Sequence, residues 1–255
     1  MVHVEKIGQG PAFVLLHGWG LNSGVWEQVQ ATLAKDFTLY CMDLPGFGYS
    51  KQRIDSDIKA WAKAVAKAIE EPAVWLGWSL GGLVATQVAL DYPQQVTGLV
   101  TVASSPRFSE NDQWPGIKSE VMTMFTKQLA TDFSLTLERF LAIQAMGSDS
   151  AKRDIKALKA VLDERPLPQQ QSLHDGLLLL NDVDLREEIK NIEQPFLRVY
   201  GRLDSLVPSK VISLVDELSP KSEKVIFKNA SHAPFISHTD EFISVLKGFM
   251  STIEY

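Results

Sequence analysis

The feature that most constrains the fold is an alternation of short apolar runs with longer helical patterns along most of the chain. The runs are rich in β-branched and aromatic residues, and they are HVEKI, AFVLLHG, FTLYCMDL, AVWLGWS, GLVTVAS, FLRVYG and EKVIFKNA. Helical patterns such as WEQVQATLAKD and DIKAWAKAVAKAIEE lie between several of them. Such alternation predicts an α/β fold with a mostly parallel central sheet and helices on both faces. We predict that residues 2–6 and 12–16 form an antiparallel hairpin at the sheet edge.

The alternation stops in one long stretch, between residues 107 and 190. Only helical patterns occur there, over about 117–133, 135–146, 150–163 and 169–181. This stretch is too long for a single crossover between two strands. We therefore predict a helical cap (lid), residues 107–190, inserted into an α/β core that is made of residues 1–106 and 191–255.

Charge and composition exclude several classes of protein. The formal net charge of −6 argues against nucleic acid as a partner, because nucleic-acid binding usually requires a basic face. No apolar run reaches the roughly 18–20 residues that span a bilayer, and MVHVEKIGQG does not read as a secretory signal. The single cysteine, Cys41, lies in an apolar strand pattern, so we expect a buried, inert thiol. We expect a monomer without a membrane partner in the reducing cytoplasm.

The segment WLGWSLGGLVA contains the pattern G-x-S-x-G, with Ser79 at its centre. In a nucleophile elbow, a serine in this pattern sits on a strained strand-to-helix turn and exposes its hydroxyl above the sheet. The flanks fit this arrangement, because a strand pattern precedes Ser79 and a helical pattern that ends before Pro93 follows it. A purely structural turn is the alternative interpretation. The flanking strand and helix favour a catalytic serine.

A catalytic serine needs a base and an orienting acid, and the late part of the chain offers both. His232, in KNASHAPF, follows the last predicted strand, and Asp204 follows the strand FLRVY. Asp43 also follows a strand and is the rival acid. We favour Asp204, because the order serine, aspartate, histidine is the one expected for this architecture. The other histidines are interpreted as packing or surface residues: His3, His17, His174 and His238.

An acyl-transfer site also needs donors for the oxyanion that develops on the substrate. One predicted donor is the backbone N–H of Leu80, at the start of a helix. The second is the N–H of Trp19, in the loop LLHGWGLN. We expect the imidazole of His17 to hold this loop through hydrogen bonds.

Four motifs identify a family resemblance that covers essentially the whole chain. LLHGWG, DLPGFG, GWSLGG and SHAPFISH, in this order and with an inserted helical cap, resemble the α/β-hydrolases. More narrowly, the strings VTVASSPRFS, WPGIK and ERFLAIQAMG resemble the pimeloyl-[acyl-carrier protein] methyl ester esterases of biotin synthesis.

The resemblance implies hydrolysis of a methyl ester at the far end of a pimeloyl chain that an acyl carrier protein holds. It implies that Ser79 is the nucleophile, His232 the general base and Asp204 the orienting acid, with no metal or organic cofactor. Trp19, Ser79, Leu80 and His232 would contact the ester end. A cap segment would line the acyl chain: Phe140, Leu141, Ala142, Ile143 and Gln144.

A carrier partner would need a basic surface, because acyl carrier proteins are strongly acidic. Lys152, Lys156 and Lys159 share one face of a predicted helix, with Arg153 beside it and Arg139 on the preceding helix. An ordinary solvated helix face is the alternative, and the resemblance favours docking. The family pattern implies arginines in this region, so the lysines here indicate a weaker or differently placed contact.

The sequence leaves two other functions open. A carboxylesterase for short, free esters would use the same triad without a carrier partner, and carbon–carbon bond hydrolases and perhydrolases share the triad as well. A non-catalytic receptor could keep the same architecture to bind a small ligand. Haloalkane dehalogenases and epoxide hydrolases are disfavoured, because they carry an aspartate in the position of Ser79.

Overall fold

Within residues 1–254, which the computed structural model describes, seven strands form one central sheet. The strands are β1 (His3–Gly8), β2 (Ala12–Leu16), β3 (Thr38–Asp43), β4 (Ala73–Trp78), β5 (Val96–Val102), β6 (Phe196–Gly201) and β7 (Glu223–Phe227). Their spatial order is β1-β3-β2-β4-β5-β6-β7, and every neighbouring pair except β1–β3 is parallel. The predicted mostly parallel sheet is confirmed.

The predicted hairpin between the first two runs is wrong in its pairing partner. β1 is an antiparallel edge strand, but it pairs with β3, and β2 lies between β3 and β4. Gly8 and Gly10 have positive φ angles of +88° and +117°. The backbone here packs against the loop before β3, and a Cβ on Gly10 would lie 2.3 Å from Asp36 O. The Gly-Gln-Gly segment therefore crosses over this loop instead of closing a hairpin. All five residues of β2 are buried, as expected for a central parallel strand.

Helices cover both faces of the sheet. Alternate residues of β2 point to opposite faces, so that Phe13 and Leu15 join one hydrophobic cluster and Val14 and Leu16 join the other. The helices are α1 (Glu27–Leu33), α2 (Ile58–Ala66), α3 (Leu80–Asp91), α4 (Ser119–Thr131), α5 (Phe133–Ala145), α6 (Ala151–Glu164), α7 (Gln170–Asp182), α8 (Lys210–Leu218), α9 (Pro234–Ser237) and α10 (Thr239–Met250). Of the helices in this part of the chain, none combines the length and the apolar character needed to cross a bilayer.

The four helices α4–α7 all lie between β5 and β6, where the sequence predicts four helical segments and no strand. The two ends of this insertion are joined, because Arg107 and Asp184 form an isolated antiparallel bridge. Arg107 Nη1 also donates to Asp184 Oδ2 at 3.0 Å. The helices are thus confirmed, whereas the division into a cap and a core that behave as separate units stays a prediction.

Candidate active site

Ser79 lies at the sharp junction between β4 and α3. Its φ is 55° and its ψ is −118°, a conformation that residues other than glycine rarely adopt. The neighbouring glycines permit close packing around the turn. A Cβ on Gly77 would lie 2.0 Å from Gly81 O, and a Cβ on Gly81 would lie 2.5 Å from His17 O. The junction therefore has the strained geometry that a nucleophile elbow requires.

Hydrogen bonds hold the main chain of Ser79 but not its hydroxyl. Its N–H donates to Val102 O at 2.9 Å, and Ser104 Oγ donates to its carbonyl oxygen at 2.9 Å. Within residues 1–254, Ser79 Oγ has no hydrogen-bond partner, and the residue is only 2% exposed. The hydroxyl thus has no structural role that would explain the strained turn.

His232 and Asp204 form a buried pair on the loops that follow β7 and β6. His232 Nδ1 and Asp204 Oδ2 are 2.7 Å apart, and the two side chains are 0% and 1% exposed. Asp204 Oδ1 accepts hydrogen bonds from the N–H groups of Leu206 at 2.8 Å and Val207 at 3.1 Å. These bonds fix the carboxylate, so the Nδ1–H of His232 donates to it and Nε2 carries the free lone pair.

The main chain of His232 is tied to both the core and the cap. Trp78, next to Ser79, donates its indole N–H to His232 O at 2.8 Å, and the N–H of His232 donates to Gln144 O at 3.0 Å. His232 Nε2 is buried and has no partner among the described residues, so no hydrogen bond joins it to Ser79 Oγ in this structure. Catalytic hydrogen bonds are often long without substrate and tighten only in the complex.

Asp43 and His17 organise the loops beside the site. Asp43 accepts the N–H of Ser23 at 2.7 Å and the N–H of Tyr49 at 2.8 Å, so its carboxylate anchors two loops and does not bind His232. His17 Nε2 accepts the N–H of Leu44 at 2.9 Å, and Nδ1 is 2.8 Å from Gly18 O. Complete burial lowers the pKa of His17 and keeps the imidazole neutral. Both ring nitrogens are engaged, which supports a structural role.

The N–H groups of Trp19 and Leu80, the predicted oxyanion donors, form no hydrogen bond in the described part of the chain. Leu80 is the first residue of α3, so its N–H is one of the first-turn amides that have no partner within the helix. The N–H of Trp19 likewise donates to no acceptor in the part of the chain that the structure describes. The indole of Trp19 is fully buried, donates to Leu173 O at 2.8 Å and packs edge-on against Phe140 with centroids 4.6 Å apart.

The cap segment 140–144 does not face the interior as a whole. Phe140, Leu141 and Gln144 are buried, Ile143 is half-buried and Ala142 is exposed, as the helical period of α5 requires. Phe140 packs on Trp19, whereas Leu141 belongs to the hydrophobic cluster on the other face of the sheet. The structure therefore brings Phe140 and Gln144 towards the site and leaves Ala142 on the outer surface.

Some basic residues of the predicted docking face already contact acceptors in the protein, and others do not. Lys159 forms an ion pair with Glu138 at 2.9 Å, and Arg153 contacts Ser237 O at 3.3 Å and Asp154 at 3.7 Å. A second group is exposed and forms no ion pair with any residue in the described range: Arg139, Lys152 and Lys156. This second group is the part of the predicted docking face that has exposed, unpaired charges.

The remaining histidines and the cysteine have local contacts. His3 lies 3.6 Å from Glu5, His174 contacts Gln171 and His238 contacts Ser237. Cys41 is fully buried, and burial raises the pKa of its thiol to about 12. A thiol with this pKa is not a nucleophile at neutral pH.

The sheet order, the elbow and the histidine and aspartate loops define the class of protein. The family model of the alpha/beta hydrolase fold matches residues 11–239, and the chain belongs to this family. An esterase from Exiguobacterium antarcticum has a TM-score of 0.89 at 22% identity, with 98% of this chain and 95% of that chain covered. A bromoperoxidase from Bacillus anthracis has the same TM-score at 20% identity, with the same coverage. Likeness at such low identity shows the fold alone.

Two curated relatives are much more similar in sequence. A pimeloyl-[acyl-carrier protein] methyl ester esterase of Aeromonas salmonicida (strain A449) is 52% identical over 251 residues, which cover 98% of this chain and 99% of the relative. A protein of the same name from Aliivibrio fischeri (strain ATCC 700601 / ES114) is 51% identical over 244 residues, with 96% and 95% covered. The narrower resemblance seen in the motifs is confirmed.

Two residues near the site have contacts that the motifs do not predict. The indole N–H of Trp78 donates to His232 O, 154 residues further along the chain. Ser231 donates to Met146 O at 3.1 Å and lies 3.4 Å from Leu203 O, so it joins the cap to the loop of Asp204. Only tertiary structure reveals these contacts, because each partner is distant in sequence.

Proposed function

We propose that this protein is a serine carboxylesterase that hydrolyses the methyl ester of pimeloyl-[acyl-carrier protein] to methanol and pimeloyl-[acyl-carrier protein]. We infer the substrate from the names of two relatives, which are about half identical to this protein over nearly the whole chain. The mechanism depends above all on the buried His232–Asp204 pair, at 2.7 Å. Trp78, which precedes the strained Ser79, binds the main chain of His232. A strained serine and a buried histidine–carboxylate pair are the groups that nucleophilic ester hydrolysis uses.

In the first step, Ser79 Oγ attacks the carbonyl carbon of the methyl ester while His232 Nε2 takes the hydroxyl proton. Asp204 holds the Nδ1–H and stabilises the imidazolium that forms. The amides of Trp19 and Leu80 donate to the oxyanion, where each such donor contributes about 3–4 kcal/mol. The intermediate then expels the methoxy group, which leaves as methanol with the proton from His232. The pimeloyl group remains bound to Ser79 as an ester.

In the second step, His232 takes a proton from a water molecule whose oxygen attacks the same carbonyl carbon. The bond between the carbonyl carbon and Ser79 Oγ then breaks, and His232 donates the proton to Ser79 Oγ. The product is a free carboxylic acid at the end of the pimeloyl chain, which is still attached to its carrier at the other end. Neither step needs a metal ion or an organic cofactor.

Gln144 supports the proposal that the cap contacts substrate. The residue is 1% exposed, and neither Nε2 nor Oε1 of its amide has a hydrogen-bond partner within the described chain. A buried amide without partners is costly in free energy unless a ligand provides them. We infer that Gln144 forms hydrogen bonds with the polar end of the substrate, while Phe140 and Ile143 pack against the acyl chain.

The free cations of α5 and α6 support docking of an acidic carrier protein. Lys152 and Lys156 are four residues apart on one exposed helix face, and Arg139 is exposed on the adjacent helix. Exposed charges steer an oppositely charged partner and raise the association rate, and salt screens this effect.

The docking proposal is tested by the charge reversal Lys152→Glu/Lys156→Glu. We expect kcat/KM for the carrier-bound ester to fall about tenfold or more and to lose its salt dependence, with no change for a free methyl ester. Lys63→Glu/Lys67→Glu is the matched control, because these lysines have the same spacing, are exposed and have no ion pair in the described chain; Lys63 lies in α2 and Lys67 directly follows it. Equal effects of both variants, or an equal loss on the free ester, would remove the docking proposal.

The substrate assignment is tested with methyl esters of dicarboxylates shorter and longer than pimelate, both free and carrier-bound. We expect the highest kcat/KM for the carrier-bound pimeloyl ester, and no turnover after Ser79→Ala. A flat profile that favours small free esters would instead establish a general carboxylesterase. Absence of alcohol release from any ester, activated ones included, would favour a receptor. The monomeric state and the cytoplasmic location stay predictions.

A further inference from the structure

The cap helix α7 passes directly over both proposed oxyanion residues at Gly176. A Cβ added to Gly176 would lie 2.7 Å from Trp19 Cδ1, 3.2 Å from Trp19 Nε1 and 3.2 Å from Leu80 Cδ2. Real Cβ atoms essentially never approach another atom as closely as 2.7 Å. A glycine in the middle of a helix is otherwise unfavourable, so this position has a packing reason.

The helix backbone cannot easily move away to make room for a side chain. Asp175, the preceding residue, is buried and accepts Arg53 Nε at 2.6 Å. At the start of the helix, the N–H of Gln169 donates to Gly46 O at 3.0 Å, and its side chain donates to Lys51 O at 2.7 Å. These bonds anchor α7 to the core segment 46–53 on the side of the helix that precedes Gly176.

The indole of Trp19 is also confined. It is fully buried between Phe140 of α5 and the backbone of α7, and its N–H is bound to Leu173 O. Any group that pushes the ring also pulls on the main chain of Trp19, whose N–H is the proposed oxyanion donor. Leu80, the other proposed donor, contacts the same point of α7.

We propose that Gly176 is a positioning residue that seats the cap on Trp19 and Leu80 and thereby places both oxyanion donors. The proposal rests on the oxyanion assignment made above. The absence of a side chain at this one position lets α7 contact both donor residues at once. The packing of α7 on the core and the placement of the two oxyanion donors then depend on the same contact.

The test compares Gly176→Ala with Gly248→Ala. Gly248 lies within α10 and has no atom within 4 Å of its added Cβ, so it receives the same substitution without a clash. We expect Gly176→Ala to lower kcat by about tenfold to a hundredfold with little change in KM, since a displaced donor acts on the transition state. It should weaken a trifluoromethyl ketone inhibitor, which forms an oxyanion, by a similar factor. Gly248→Ala should change neither quantity.

A double-mutant cycle with Trp19→Phe shows whether the effect passes through the indole. Phenylalanine lacks the five-membered ring that the new methyl group would meet. We expect Gly176→Ala to have less than a third of its effect on log kcat in the Trp19→Phe background. Additive effects, or an unchanged kcat in the single variant, would overturn the proposal. If Gly176→Ala alone does not fold, recovery of folded protein on adding Trp19→Phe supports the contact, and no recovery overturns it.

Failure of this proposal can be separated from failure of the proposed function. The parent protein must first release methanol from the methyl ester in a manner that Ser79→Ala abolishes. Without that activity the proposed function itself is wrong. With it, a Gly176→Ala variant that retains the parent's kcat and inhibitor affinity rejects only the positioning role.

Discussion

Replacement of Ser79 by glycine should abolish activity and yet stabilise the protein. The φ of 55° and ψ of −118° at Ser79 are strained for a residue with a side chain, at a cost of about 1–3 kcal/mol. Glycine adopts positive φ freely, but it loses about 0.5–1 kcal/mol through the entropy of the unfolded chain. Ser79 Oγ makes no hydrogen bond within residues 1–254, so its removal breaks none. The net expectation is a stabilisation of about 1 kcal/mol.

For a chain of 255 residues, this stabilisation corresponds to a rise in Tm of about 2–4 °C. Differential scanning calorimetry at neutral pH measures it, and methanol release from a methyl ester confirms the loss of activity. Ser79→Ala is the matched control, because it removes the hydroxyl but keeps the Cβ and its strain. The reasoning is refuted if Ser79→Gly melts at or below the Tm of Ser79→Ala.

Three further predictions concern a catalytic, an unreactive and a stabilising group. Asp204→Asn should lower kcat on the order of 10³–10⁴-fold, because the amide favours the wrong tautomer of His232, and a loss below about tenfold would contradict the triad. Folded protein should resist alkylation of Cys41 by iodoacetamide at mildly alkaline pH, and denatured protein should react; mass spectrometry that shows equal rates would contradict this. The side-chain hydrogen bond from Arg186 holds the pKa of Asp184 below its usual range. The ionised carboxylate therefore stabilises the fold at neutral pH, and this stabilisation is lost as the pH falls through the lowered pKa. In denaturant titrations, Asp184→Asn should have a lower free energy of unfolding than the parent at neutral pH, and the difference should shrink below about pH 4. A difference that does not change with pH would contradict this.

The strand and helix pattern predicts most of this fold, because period and burial are local properties of the sequence. All seven apolar runs are strands, and the four helical patterns of the insertion are α4–α7. The pairing of β1 could not be predicted in this way. β1 pairs with β3, although β2 and α1 lie between these two strands in the sequence. The local pattern of residues does not show which of the later strands lies next to β1.

The candidate site shows the same division between local and tertiary information. Ser79 is visible in a motif with strong geometric requirements, and chain order distinguishes Asp204 from Asp43. The contacts of Trp78 with His232 and of Gly176 with Trp19 are not visible, because more than 150 residues separate the partners in each pair. The isolated glycine within the helical pattern SLHDGLLLL is a local feature that is typical of close helix packing, but it does not identify the neighbour.

The most direct test of the central claim is to trap the covalent intermediate on Ser79. Rapid acid quench during turnover of the carrier-bound pimeloyl methyl ester, followed by peptide mass spectrometry, should detect a pimeloyl adduct on the peptide that contains Ser79. The adduct should form as fast as methanol is released and should be absent from Ser79→Ala. Methanol release at the parent's rate by Ser79→Ala, or steady turnover with the adduct on another residue, would contradict the account.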